Sequence, residues 1–574
     1  MTTNSAKIFN TVGVCNPLKH YMIPAAPRLP DVSDMVDGEF YFVLHAPRQS
    51  GKTTCLKALT KQINSEGKYY AINCSLITLR DISDSEIAMK SIIGRINKGI
   101  ENSDAAEIRK LAYKFDNRPS MSYHVSMVQN LLNGLCLALD RELVVFFDEA
   151  DCLLEGPLIM FLGQIRDGYL DRFDSPASRF PRSMALVGMR DIRDYLTKVR
   201  PDGMSTGPAS PFNVKLESLT LADFTMDEIR SLYFQHTAET GQVFEPSAVE
   251  RAWYWTEGQP WLVNALANNV IVKQFRNDYS KVISGNDIDI AVRNLILRND
   301  THFDSLMERL REPRVRRVIE PVITGADYLP DDVPTDDIRY VLDLGLLKSD
   351  GYKVDSIRSS NPVYRELIAR AMSRNLQRKV PPELANRWMD GTRLDMDGLL
   401  RAFQVYWREN SEVNDQTDAE KNEKERLLTK RVVSSLDFID IADKYRVQEE
   451  VVKIIMEKLS GFGREDFPHI VLYAFLQRVL NGGADFIQRE YGLGRSFVDI
   501  CVSYKDIRYP VELKVKGVKS REDSILQVLG YMDKCGSSVG WLVVFDRGCS
   551  KSWDEKIFWE TLDRDGRTVH LVGC

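Results

Sequence analysis

The chain has 574 residues, of which 44% are hydrophobic and 28% charged. That is the balance of a globular protein, and the length implies three or more domains rather than one core. No apolar run approaches the ~18 residues of a membrane span. The opening MTTNSAKIFNTVGV lacks the basic start and apolar centre of a secretory leader. No membrane partner is therefore expected. Nine cysteines lie scattered without a C-x2-C pair, and the seven histidines form no cluster. This weighs against a disulfide framework or a zinc site and points to a reducing cytoplasm. The net charge of −6 does not advertise nucleic-acid binding, but it is unevenly spread. From Gly461 to Cys574, 16 basic and 16 acidic residues cancel, so the acidic excess lies upstream.

Residues 1–38 show no periodicity and carry Pro17, Pro24, Pro27 and Pro30. They read as an extended lead-in that can wrap a site formed downstream. Phe42-Val43-Leu44 then has strand character, and Cys55, Leu56 and Leu59 mark one side of a helix. Between them runs Ala46-Pro47-Arg48-Gln49-Ser50-Gly51-Lys52-Thr53, followed by Thr54. Strand, tight loop, Lys-Thr and helix is the order of a phosphate-binding loop. Loop N–H groups converge on an anion, and the helix N-terminus adds its positive dipole end. Gly51 lets the backbone approach a phosphate. Lys52 is placed to neutralise β- and γ-phosphates, and Thr53 can offer its hydroxyl to Mg2+. The candidate nucleotide-binding residues are thus Pro47, Arg48, Gln49, Ser50, Gly51, Lys52, Thr53 and Thr54, with ATP and Mg2+ as expected cofactors. Ala46 stands where the pattern has its first glycine.

Tyr69 to Asn73 is a plausible second strand, and 84–140 reads as helices. Glu142 to Asp151, ELVVFFDEAD, contains an unbroken apolar run from Leu143 to Phe147, as expected of a parallel strand buried on both faces. Asp148 at its carboxyl end can hold the Mg2+ water shell. Glu149 can polarise the attacking water as general base. Ligands gather at the carboxyl ends of strands in an open α/β sheet, so the two motifs would face one site. Residues 157–172 look helical. Met184 to Val187 forms another strand, ending in Gly188-Met189-Arg190-Asp191. Arg190 either touches the γ-phosphate or is a surface arginine bound to Asp194.

From Thr225 the character turns helical. Thr225-Met226-Asp227-Glu228 has the pattern of a capping box, Phe244 to Trp255 follows similarly, and Gly258-Gln259-Pro260 opens another amphipathic helix. Residues 336–370 read helix, turn, hairpin, helix, with Ser349-Asp350-Gly351 as the turn between Leu346-Leu347 and Tyr352-Val354. This order suits a winged helix, which either binds DNA or packs inside the same domain.

Together APRQSGKTT, VVFFDEAD, the GMRD turn, SPFNV at 210–214, DFTMDEI at 223–229 and GQPWLVNALA at 258–267 resemble the AAA-like P-loop ATPases of bacteria and archaea, related to the STAND and origin-recognition-type ATPases. The resemblance covers about residues 8 to 372. It implies an ATPase core at 39–222, a helical lid at 223–310 and a winged-helix-like module at 311–372. It further implies Pro260 in the lid near the base, Arg190 as a sensor arginine, and a homo-oligomer whose sites a neighbour completes.

Residues 373–466 include the polar ENSEVNDQT at 409–417 and a dense mixed-charge run at 418–431, and read as a helical connector. His469 to Leu480 is apolar and helical in character. Phe497 to Val502 and Val511 to Val515 have strand composition, with Tyr504 to Arg508 turning between them. Alternation puts Glu512 and Lys514 on one face of the second strand, and Asp499 can face the same way. Two carboxylates with a backbone carbonyl make a hard oxygen site suited to Mg2+. Such a metal activates water and stabilises charge at phosphorus, with Lys514 orienting the water or stabilising the transition state.

With Glu490, Gly494-Arg495, Gln527 and Tyr531 around it, this hairpin resembles the PD-(D/E)xK nuclease superfamily over residues 467–547, within a domain at 467–574. The resemblance implies Asp499 and Glu512 as metal ligands, Lys514 as catalytic, Glu490 as an additional acid and Gln527 as a helix residue reaching the site. Val498-Asp499 replaces the Pro-Asp of the motif. The whole chain then reads as an α/β protein: a P-loop parallel sheet with helical lid and winged helix, plus an α/β nuclease-like domain. An ATPase would regulate or power a nuclease acting on nucleic acid, DNA first, and the resemblance fits bacterial defence or genome maintenance. The alternatives are a nucleotide-dependent switch or scaffold with an inactive nuclease fold, and a DNA translocase.

Overall fold

The strand β3 (Leu143–Asp148) has every residue buried, and its alternation divides two cores. Leu143, Val145 and Phe147 lie in one and Val144 and Phe146 in the other. This is what a continuous apolar strand in the middle of a parallel sheet requires. A computed structural model describes residues 6–24, 28–29, 31–115, 123–172, 174, 177–189, 215–297, 308–323, 333–349, 357–378, 380–384, 387–389, 392–411, 442–444, 446–457, 468–480, 486–493, 496–505, 507–515, 521–546 and 552–574. It divides into two compact units, Met1–Arg298 with Pro330–Val363, and Asn299–Leu329 with Tyr364–Cys574.

In the first unit β1 (Tyr41–His45), β2 (Tyr70–Ser75), β3, β4 (Ser183–Gly188) and β5 (Lys215–Thr220) form a five-stranded sheet, order β2-β3-β4-β1-β5. All four pairings are parallel. The chain therefore shows the α/β class and parallel sheet expected of a phosphate-loop fold. The edge strand β5, KLESLT, carries no apolar run and was legible only through its pairing with β1. One face is covered by α1 (Val32–Asp37) and α2 (Lys52–Glu66). The other is covered by α3 (Ser85–Glu101), the short α4 (Ala106–Arg109), α5 (Met127–Ala138) and α6 (Glu155–Asp171). The helix α1 corrects the reading of 1–38 as wholly extended. Val32, Met35 and Val36, at helical spacing, bury against Phe42 and Ala185.

The lid consists of α7 (Met226–Thr240), α8 (Pro246–Thr256), α9 (Pro260–Asn268) and α10 (Gly285–Leu297). The capping box at α7 forms: Glu228 N donates to Thr225 Oγ1 at 3.2 Å and Thr225 N to Glu228 Oε2 at 2.7 Å. The turn before α9 needs Gly258, whose φ is +83° and where a Cβ would sit 1.9 Å from the Phe224 carbonyl oxygen. The first unit also holds α11 (Thr335–Asp343) and the hairpin of β6 (Leu347–Ser349) and β7 (Ile357–Ser359). The strand that pairs with β6 lies at 357–359; Tyr352–Val354, expected as a strand, lie outside the described residues. The helix Pro313–Ile323 and α12 (Pro362–Gln377, from Tyr364 onward) belong to the second unit, so the module expected at 311–372 is shared between units.

The second unit carries a mixed six-stranded sheet. It contains β8 (Phe486–Leu493), β9 (Ser496–Tyr504), β10 (Ile507–Val515), β11 (Val539–Phe545), β12 (Trp559–Arg564) and β13 (Arg567–Gly573), in the order β12-β13-β11-β10-β9-β8. The stretch expected as a connector is built into this unit. In α13 (Met396–Ser411), Gln404 Nε2 donates to the Phe558 and Gly573 carbonyls at 2.9 and 2.6 Å, and Asp397 accepts from Trp541 Nε1 at 2.7 Å. Phe403 packs on Phe475 of α15 (Pro468–Val479), 5.4 Å between ring centroids, while α14 (Glu449–Glu457) buries Val451 and Val452. The helix α16 (Arg521–Cys535) packs Ile525, Val528 and Met532 against Leu542. Among the described residues all eight cysteines are free thiols, and no helix is long and apolar enough to cross a membrane.

Phe146 is fully buried between strand neighbours and α2. Phe146→Ala is expected to cost the first unit about 3–5 kcal/mol, read as a lower urea midpoint; an unchanged midpoint would contradict the assignment of β3 to the centre of the core.

Candidate functional site

The loop from Ala46 to Gly51 leaves β1 and turns into α2 with two residues in the left-handed region, Gln49 at φ 61° and Gly51 at φ 94°. Lys52, Thr53 and Thr54 are thereby delivered on the first turn of a helix. Lys52 Nζ donates to the carbonyls of Ala46 and Pro47, at 2.6 and 2.8 Å. Burial pulls its ammonium below the usual range, while Asp151, Glu149 and Asp148 act in the opposite direction. Thr53 Oγ1 donates to Asp148 Oδ2 at 2.7 Å. The structure thus brings the loop and the end of β3 together, as their positions in the sheet require.

Burial raises the Asp148 carboxyl pKa, opposed by the Thr53 hydrogen bond. Glu149, at φ 60°, is raised by burial and then by Asp151 and Asp148. Glu149, Asp151 and Cys152 place ligand-type atoms within 4.8 Å of one another. Arg48 Nε lies 3.3 Å from Met189 Sδ on the turn after β4. Arg190 lies outside the described residues. Ser50 is buried in the loop. Pro47 is contacted from the hairpin side, where a Cβ on Gly345 would sit 2.5 Å from its ring. The basic residues of that hairpin pair with the lid: Lys348 with Asp223 at 2.7 Å and Arg358 with Glu257 at 2.7 Å.

A cavity of about 520 Å3 opens over the loop, lined among others by Lys52, Thr53, Glu149, Arg80, Pro260 and Asn264. The lead-in forms much of its wall, through Asn10, Thr11, Val14, Cys15, Met22 and Arg28. Its attachment is side-chain specific. Phe9 sits 4.9 Å from Tyr21 and 5.6 Å from Tyr233 between ring centroids, and Cys15 N donates to Thr54 Oγ1 at 3.2 Å. Arg28 donates to the carbonyls of Ser50 at 3.2 Å and Ala222 at 2.6 Å, and its guanidinium lies 4.8 Å over the Phe224 ring. Arg28 was missed by the sequence reading; it stands in a proline-rich stretch with no periodic signal. Asn264 also lines the cavity; in the sequence it is a lone amide in an apolar helix, one turn beyond Pro260.

The second cluster lies where β10 leaves β9. Their ladder runs to Val511↔Ile500, and β10 continues beside β11 from Val511 to Val515. At the divergence Asp499 Oδ2 accepts from Leu513 N at 2.7 Å. Lys514 Nζ lies 2.5 Å from Glu512 Oε1 and 3.9 Å from Asp499 Oδ2, so the three predicted side chains share one face. The Glu512 side chain is 1% exposed, and its Oε2 has no hydrogen-bond partner among the described residues. Its carboxyl is pushed up to about 8 by burial and by Asp499 beside it. Glu490 falls in β8 between Arg489 and Tyr491, whose partners Ile500 and Val498 flank Asp499. Gln527 donates to Tyr531 of its own helix, at 2.5 Å, rather than to these carboxylates.

No protein-family model matches the chain, and no curated protein does. Among solved structures, the chain is similar to a Walker-type ATPase of Pyrococcus abyssi, 14% identical, covering 63% of this chain and 99% of that one with a TM-score of 0.43. The ORC2 protein of Aeropyrum pernix, solved in ADPNP–ADP complexes, is 13% identical over 64% of this chain and 98% of its own, TM-score 0.37. RuvB of Thermotoga maritima is 15% identical over 59% and 93%, TM-score 0.31. Likeness at these scores carries no functional argument; the fold rests on the parallel sheet and the loop geometry above.

Proposed function

We propose that the first unit binds and hydrolyses ATP with Mg2+, and that its nucleotide state governs a metal-dependent nuclease in the second. The observation that supports the ATPase most is the Thr53–Asp148 contact of 2.7 Å beside the half-buried Lys52. A threonine hydroxyl and a carboxylate are hard oxygen donors, the chemistry Mg2+ takes. Thr53 and Asp148 would hold the ion, which when bound neutralises charge on the β- and γ-phosphates. Lys52 would exchange the Ala46 and Pro47 carbonyls for phosphate oxygens. Glu149, whose raised carboxyl makes it the more basic, would take the proton of the attacking water. Arg190 is proposed to touch the γ-phosphate, and Pro260 to close the side of the base. The ion pairs of Lys348 and Arg358 with lid carboxylates support a packing role for the hairpin over a DNA-reading one.

For the second unit, the supporting observation is the buried Glu512 Oε2 next to Asp499, unpartnered among the described residues. An unmet carboxylate oxygen is costly unless something satisfies it, and a divalent cation shared by Asp499 and Glu512 would. Glu490 would add a further carboxylate. Lys514 would then stabilise charge at a phosphodiester, with Gln527 positioned on α16. The metal supplies an activated water. The substrate proposed is nucleic acid, DNA first, and the working form a nucleotide-sensitive homo-oligomer in the cytoplasm.

Two sets of variants test these halves separately. Lys52→Ala is expected to weaken ATP binding about 10–100-fold, the worth of a charge-assisted hydrogen bond of roughly 1.5–3 kcal/mol. Glu149→Gln should retain binding and slow turnover by about 10²–10⁴-fold. Calorimetry showing unchanged affinity in Lys52→Ala would sink the nucleotide assignment. In a nicking assay with Mg2+ or Mn2+, Asp499→Ala and Glu512→Ala should abolish cleavage and EDTA should stop it. Lys514→Ala should bind metal yet cleave poorly, and none of the three should change ATP hydrolysis without nucleic acid. Cleavage that persists in both carboxylate variants would remove the nuclease half; no cleavage by the unaltered chain would leave a switch or scaffold.

A further inference from the structure

Two cysteines meet on the face of the second sheet that carries Asp499, Glu512 and Lys514. Leu542 and Val544 stand opposite Glu512 and Lys514 in the β10–β11 register, and α16 packs on that same pair. The helix therefore covers the carboxylate face. In β9, Cys501 follows Asp499 by two residues and so points the same way. Its partner across the ladder, Pro510, is likewise two residues from Glu512. The last residue of α16, Cys535, packs against a buried cluster of Cys501 and Tyr531, and Cys501 donates a hydrogen bond to its sulfur. Cys501 is buried, whereas Cys535 is partly exposed. One thiol of the pair is thus open to a small oxidant, and the other stands behind it. The Cys535 thiol is held below the usual range by the Cys501 hydrogen bond, with Arg508 adding positive charge and burial acting the other way. A thiolate with a second thiol in contact is the arrangement that passes from sulfenic acid to disulfide.

We propose that Cys535 and Cys501 form a peroxide-reactive pair whose disulfide latches α16 to β9 beside the carboxylates. The Cys535 thiolate attacks one oxygen of hydrogen peroxide. The O–O bond breaks, hydroxide leaves and takes up a proton to become water, and the sulfur becomes a sulfenic acid. The Cys501 sulfur then attacks the Cys535 sulfur. The S–O bond breaks, and the hydroxyl leaves with the Cys501 proton as a second water. Both sulfurs are oxidised and the peroxide is reduced; a thiol reductant reverses the bond. The covalent bond is shorter than the hydrogen bond it replaces, so closure shifts the helix bearing Gln527 against the strand bearing Asp499. The effect on cleavage rests on the nuclease reading above; formation of the disulfide does not.

The test exposes the full chain to excess hydrogen peroxide, blocks free thiols with N-ethylmaleimide and maps the peptides by mass spectrometry. The expected product is Cys501 joined to Cys535, lost on treatment with dithiothreitol. In Cys501→Ala protein the reaction should stop at a Cys535 sulfenic acid, trapped by dimedone. In Cys535→Ser protein no disulfide should form at Cys501. With Mg2+, peroxide should slow nicking by the unaltered chain about 10²-fold, the cost of a misplacement of about 1 Å at a site. Dithiothreitol should restore it, and Cys535→Ser protein should nick equally before and after peroxide. Peptides in which both cysteines carry the maleimide, or in which either is joined to a different cysteine, overturn the proposal. So does nicking that is unchanged once the disulfide has formed. If a variant does not fold, the map of the unaltered chain decides. A mapped disulfide in a chain that cleaves nothing even when reduced removes the nuclease reading and the latch, and leaves the redox pair standing.

Discussion

The first unit depends on one meeting of side chains across the sheet, Thr53 of the phosphate loop with Asp148 at the end of β3, 2.7 Å apart. The two strands concerned are not neighbours; β4 lies between β1 and β3. The contact therefore requires the parallel order of the sheet, equal strand ends and a tight loop that delivers Thr53 on the first helical turn. Each has a sequence cause. Continuous apolar runs set the strands between two cores, and Gly51 at positive φ turns the loop into α2. Asp148, Glu149 and Asp151 then all favour the charged form of the half-buried Lys52 ammonium. The arrangement is an excess of negative charge in a sheltered place, the electrostatic condition under which a divalent cation and a polyphosphate bind together.

The lead-in completes that site from the opposite side. It has no regular structure from Lys7 to Pro24 beyond one bridge, Ile8↔His20, yet it is held at fixed points. Phe9 and Tyr21 bury against Tyr233 and His236 of the lid, and Arg28 ties the loop at Ser50 to Ala222. Lid and loop thus share a strap. A nucleotide bound as proposed would therefore have a physical path to the lid through this strap.

The strands β1 to β4, the phosphate loop and the capping box at Thr225 were legible because their signals are local: apolar runs, a glycine at a turn, a threonine three residues before a glutamate. The cross-strand placement of Asp499, Glu512 and Lys514 was legible for the same reason, since alternation needs no tertiary knowledge. What escaped was non-local. The strand β5 is polar and identifiable only by its partner β1. The helix α13 looked like a connector because its buried face, Phe403 and Gln404, meets strands more than a hundred residues downstream. Arg28 belongs to no motif and acquires meaning only through its contacts with the loop at Ser50 and with Ala222 and Phe224. Arg190, expected on the turn after β4, lies outside the described residues.

The central claim is that one ligand engages loop, lead-in and lid at once. Hydrogen–deuterium exchange of the full chain with and without ATP and Mg2+ tests it directly. Protection is predicted to rise together over residues 46–54, over the lead-in from Phe9 to Ile23, and over Gly258 to Asn264. Protection confined to one of these three segments, or no change in any of them at saturating ATP, would contradict the account.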